Sequence, residues 1–155
     1  MAYLHAYETL ESASQPMFNV INNPNSHGLS QVVPAVRKLA AAERTFDSSV
    51  RAITIADSAR NDVNALLTGA NSLIADLDKA GVSTSLAALN AAMPHVSTTG
   101  TAAIAQELKV GSDLGVFTDK PTSHLAPAGL PVAIPNLSAR PIAVEGTATY
   151  GATYV

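Results

Sequence analysis

Cysteine and tryptophan are both absent from this 155-residue chain, and phenylalanine occurs only three times. Without thiols there are no disulfides and no thiolate metal sites, although the absence leaves the compartment open. Without large aromatics a deep core has few anchors, and alanine supplies much of the 47% hydrophobic content. Charge is scarce as well, at 14% of residues with a formal net charge of −3. The basic residues are scattered, with only Arg37 and Lys38 adjacent. No nucleic-acid partner is expected, because that needs clustered Lys and Arg. Nowhere do about eighteen apolar residues run together, so no membrane span is expected. The start, MAYLHAYETLESASQP, has neither a basic n-region nor a long apolar run, so no signal peptide is expected.

Catalytic and cofactor signatures are missing too. There is no G-x-S-x-G, no Walker loop and no H-E-x-x-H. His5, His27, His95 and His124 each stand alone, with no second ligand one helical turn away. Asp76-Leu77-Asp78-Lys79-Ala80-Gly81 begins like a calcium loop, but Ala80 and Ala87 occupy positions that need oxygen ligands. A helix end with a glycine stop explains it better. Asp57 and Arg60 have the spacing of a helix-surface ion pair, and Asp62 lies near them. The reading is a non-enzyme with no cofactor and no metal.

What the chain does have is a long apolar-periodic stretch from about Val33 to Gly81. Phe46, Val50, Ile53, Ala56, Ala59, Val63, Leu66, Ala70, Leu73 and Leu77 follow one another at spacings of three or four. That keeps them on one face of a helix, and from Val63 onward the alternation is that of a heptad seam. The stretch predicts one long amphipathic helix or two in close succession. A break at Thr45–Ser48 and a short strand over Val50–Ile55 are the alternatives, with helix throughout preferred. Helix begins near Ser30 or Val33, Pro34 suits a first turn, and Lys79 with Gly81 marks the end.

Before this stretch, residues 1–29 read as an apolar N-terminal arm. Tyr3, Tyr7 and Leu10 form a short helical face, Met17 to Ile21 are more extended, and Asn22–Gly28 is a loop. After it, Ser83 caps a short helix from Thr84 to Met93 that Pro94 ends. A second short helix opens at Thr98 or Thr99 and stops at Gly111.

Residues 112–155 read as a C-terminal arm. Five of the nine prolines fall there, interleaved with Leu125, Leu130, Val132, Ile134, Leu137 and Ile142. Proline excludes helix and central strand, while the apolar content is too high for a solvated linker. An extended segment laid on a hydrophobic surface fits both. The last residues, rich in Thr, Tyr and Val, read as a strand able to add to a sheet edge.

The fold class is therefore mainly α: a helical body over 30–111 with extended arms at either end and a possible C-terminal strand. The expected partners are copies of the chain and neighbouring structural proteins. The expected contact residues are Phe46, Val50, Ile53, Val63, Leu66, Leu73 and Leu77 on the helix. Leu130, Val132, Ile134, Leu137, Ile142, Tyr150 and Tyr154 are the corresponding residues in the arm. In architecture, a small cysteine-free helical body with long arms looks like the minor structural components of tailed-bacteriophage particles, such as cement, head-completion, connector or tail proteins. The resemblance implies a virion location; without it, a cytoplasmic one is expected. A monomeric peptide- or glycan-binding module and a small enzyme assembled around His95 or His124 are the alternative functions.

Overall fold

A computed structural model of the chain describes residues 2–22, 27–116, 141–144 and 147–150. Four α-helices make up most of it: α1 (Ala2–Asn22), α2 (Leu29–Arg51), α3 (Arg60–Gly81) and α4 (Leu86–Asp113), with a 3₁₀ turn at Asp57–Ala59 before α3. Pro141–Val144 (β1) and Thr147–Tyr150 (β2) pair as a two-stranded antiparallel ladder.

Residues 2–22 are a helix and not an extended arm. Tyr3, Tyr7, Leu10, Ser14, Met17 and Ile21 lie on one buried face, at spacings of three and four along α1. The run from Met17 to Ile21 resembles a strand only in isolation. Ser14 is the polar link that hides the helical period, and its hydroxyl is satisfied by donating to the Leu10 carbonyl at 2.6 Å. Pro16 sits on the exposed side of α1, where a carbonyl that loses its helical N–H partner can turn to solvent.

The central stretch is two helices rather than one. The chain leaves α2 at Ala52 and turns through Ala56, so residues 50–55 are neither continuous helix nor strand. The reversal brings Val63 and Leu66 of α3 back against Phe46 and Val50 of α2, while Ile53 and Ile55 pack half-buried at the turn. The break therefore falls where one stripe folds onto itself. Thr45–Ser48 stays helical within α2.

Another correction concerns Pro94, which does not end a helix. Met93, Val96, Gly100, Ala103, Glu107 and Val110 form one continuous buried face along α4, and Pro94 rides on its exposed side. Ser85 rather than Ser83 caps the helix, accepting a hydrogen bond from the Ala88 N–H at 3.1 Å. Nor is Gly111 the stop, since it is buried inside the last turn. The stop is Gly115, at φ +66°, where the Val116 N–H reaches the Gly111 carbonyl and the Gly115 N–H reaches that of Ser112. That double bond pattern needs a left-handed residue, which glycine supplies without strain.

The four helices alternate in direction. One apolar cluster joins Phe18 and Ile21 of α1, Val36 and Leu39 of α2, Leu73 and Leu77 of α3, and Leu89 and Met93 of α4. A second, at the opposite end, joins Tyr7 and Leu10, Phe46 and Val50, Val63 and Leu66, and Val110. Successive helices meet side by side from α1 to α4. The ring closes where the Tyr3 hydroxyl donates to the Glu107 carbonyl at 2.8 Å. The molecule is an up-down-up-down four-helix bundle.

Candidate functional site

The stripe expected to bind other copies is consumed within one chain. Phe46, Val50, Val63, Leu66, Leu73 and Leu77 are all buried among α1, α2, α3 and α4, and Ile53 is half-buried against the same core. Their heptad spacing is the seam of an intrachain bundle. Leu130, Val132, Ile134, Leu137 and Tyr154 lie outside the described residues. Ile142 falls in β1 and Tyr150 in β2.

Between the two apolar clusters runs a polar layer. Along α1 it comprises Glu11 and Ser14, set between Leu10 of one cluster and Met17 of the other. Along α2 Glu43 lies between Ala40 and Phe46, and along α4 Glu107 lies between Ala103 and Val110. The corresponding position of α3 holds only Ala70, between Leu66 and Leu73. Three carboxyl groups from three helices are thus buried at one level of the bundle. The Gln15 side chain donates to Glu11 Oε1 at 2.6 Å. No group of His, Cys, Asp and Glu able to hold a metal ion occurs among the described residues. None of the three glutamates is among the residues that the sequence singles out as candidates. The signal was available: each falls at a core position of the three-and-four period.

Charged side chains on the outside tie helices together rather than forming a cleft. Lys109 of α4 lies 2.7 Å from Asp62 of α3 and 2.8 Å from Asp113 of its own helix. The hydrogen bond from Lys109 holds the Asp62 carboxyl below its ordinary value, against a smaller opposing effect of desolvation. Hydrogen bonds to Asp113 and Asp62 raise the Lys109 ammonium in turn. Arg44 joins α2 to α3 through Asp78 at 2.5 Å. Asp57 and Arg60 form the ion pair their spacing predicts. Asp76 pairs with Lys79 at 3.1 Å, at the end of α3 where the calcium-like string lies.

Two outer features stand out among the described residues. From Ala80 to Gln106 the chain contains no Asp, Glu, Lys or Arg. Within that run Ala87, Ala91, Pro94, Thr98, Ala102 and Ala105 form one exposed face of α4. Beside it a shallow groove of about 530 Å³ opens between α3 and α4, lined by Asn64, Ala65, Thr68, Gly69, Ala102, Ala105 and Gln106. Val82 and Leu86, the most exposed large apolar side chains of the described residues, stand at the near end of the same helix. The second feature is a groove of about 540 Å³ between α1 and α2. His95 lies on the exposed side of α4, and His27 Nδ1 lies 3.0 Å from the Gln31 side-chain oxygen, which accepts.

The sequence matches no protein-family model, and comparison with curated proteins and with solved structures returns no similar chain.

Proposed function

We propose that this chain is a non-enzymatic structural protein that assembles with copies of itself or with neighbouring structural proteins. The observation that carries the reading is the outer face of α4, whose exposed positions from Leu86 to Ala105 carry no Asp, Glu, Lys or Arg. A surface helix normally carries charge on its solvent side. Small uncharged side chains let a second helix approach closely, and no ion has to be desolvated when the faces meet. A face without charge also meets its own copy without like-charge repulsion, which suits a symmetric contact.

In its finer form the proposal is a minor virion component of a tailed bacteriophage, of the cement, head-completion, connector or tail kind. Its support is architectural: a small cysteine-free helical body followed by a long proline-punctuated apolar segment. Light scattering across a dilution series tests the assembly reading. A mass above that of one chain supports it, and one chain at every concentration opposes it.

A further inference from the structure

We propose that α1 is a strap that releases from the bundle as one unit while α2, α3 and α4 stay folded together. The inference concerns a single chain and does not rest on the assembly proposed above. Of the other three helices, only α2 runs beside α1, and the Cα atoms of α1 and α4 come within 8 Å of one another almost nowhere. It is the Tyr3 side chain that spans this seam, its hydroxyl reaching the Glu107 carbonyl at 2.8 Å. Between α3 and α4 the approach is close: a methyl group added at Gly69 would lie 3.7 Å from the Ala103 Cα. Backbones that near to one another bring many atoms into contact, and a seam held by the tips of side chains brings few.

The polar ties between helices fall the same way. Arg44 of α2 pairs with Asp78 of α3 at 2.5 Å, Arg37 of α2 donates to the Gly81 carbonyl of α3 at 2.6 Å, and Lys109 of α4 pairs with Asp62 of α3 at 2.7 Å. All three survive the departure of α1. So does a shared apolar core, with Leu39 and Phe46 from α2, Leu66 and Leu73 from α3, and Met93 and Val110 from α4. Docking gains less for α1 than for its neighbours. Glu11 and Ser14 interrupt its buried face in successive turns, where the buried face of α3 has no polar side chain. A pivot is in place at Gly28, which opens α2 at φ +68°. Its chain neighbours aside, no described residue lies within 4 Å of where a side chain there would stand.

Hydrogen exchange of the native full-length protein, followed by mass spectrometry through sub-denaturing guanidinium chloride, tests the strap. The amides of residues 6–18 in α1 should exchange about ten-fold or more faster than those of residues 66–77 in α3, with a weaker dependence on denaturant. Equal protection of the two helices overturns the proposal. Gly69→Ala gives a second readout, since the added methyl group meets α4 and not α1. It should slow exchange in α3 by about two- to five-fold and leave α1 unchanged. An equal slowing of both helices overturns the strap, because the bundle then opens only as a whole.

Discussion

The Tyr3 hydroxyl donates to the Glu107 main-chain carbonyl at 2.8 Å, joining the first helix to the last across 104 residues of sequence. The same ring meets Phe46 of α2 edge-on at 6.0 Å between centroids. One side chain near the start of the chain thus engages both α2 and α4, and the bundle closes through it. Tyr3→Phe keeps the ring and removes the bond. The Glu107 carbonyl keeps its helical partner, so the expected loss is about 1 kcal/mol, read as a lower denaturant midpoint at unchanged slope.

Leu66 and Leu73 are fully buried in the two clusters of one chain. Leu66→Asp or Leu73→Asp should therefore abolish folding itself, seen as loss of the cooperative melt. Leu66→Ala should cost about 3 kcal/mol. A variant that melts like the parent but loses mass in solution would return these residues to an intermolecular seam.

Gly69 lies inside α3, facing α4. A methyl group built there would sit 3.7 Å from the Ala103 Cα, an ordinary contact. Gly69→Ala should stabilise the bundle by about 0.5–1 kcal/mol through helix propensity, measured by chemical unfolding. Gly81 is the contrasting case: an added methyl would approach the Arg37 side chain to 3.0 Å, while Arg37 Nε already donates to the Gly81 carbonyl at 2.6 Å. There the same substitution has to displace an arginine that ties α2 to the end of α3.

Replacing Glu11, Glu43 and Glu107 together by leucine removes the three carboxyl groups of the polar layer and leaves Ser14, whose hydroxyl is satisfied by the Leu10 carbonyl. Buried ionisable groups exchanged as a set for apolar ones of similar volume commonly leave a protein as stable or more so, by up to about 4 kcal/mol. A higher thermal midpoint is the expected result.

Asp62 and Lys109 supply a pH dependence whose sign follows from their shifts. Asp62 is held below its ordinary value of 3.8, so its contribution is present above that value and is lost as pH falls through the lower folded value. Lys109 is raised above 10.5, so its contribution is present below that value and is lost as pH rises through the higher one. Asp62→Asn should melt lower than the parent between these limits and converge with it in strong acid. Both groups are partly exposed, so salt should shrink the difference.

How much of this was legible in the residues varies along the chain. Val63 to Leu77 carried a clean period, and α3 ends at Gly81 as Lys79 and Gly81 indicate. What spacing could not tell was which surface the stripe would meet, because an intrachain bundle and a coiled coil use the same period. Pro94 misled because a proline on the exposed side of a helix looks, in sequence, like one that ends it. Met17 to Ile21 misled because a short apolar run has no period of its own. Glu11, Glu43 and Glu107 went unread as a layer since nothing local brings residues so far apart to one level; only the pairing of four helices does.

The most direct measurement is the molar mass of the full-length protein by light scattering, beside the variant Ala91→Glu/Ala102→Glu. Both substitutions fall on the exposed face of α4. The account predicts a stable oligomer or larger assembly for the parent, and smaller species for the variant with an unchanged melt. A parent that stays at the mass of one chain throughout dilution, or a variant that assembles as the parent does, would contradict it.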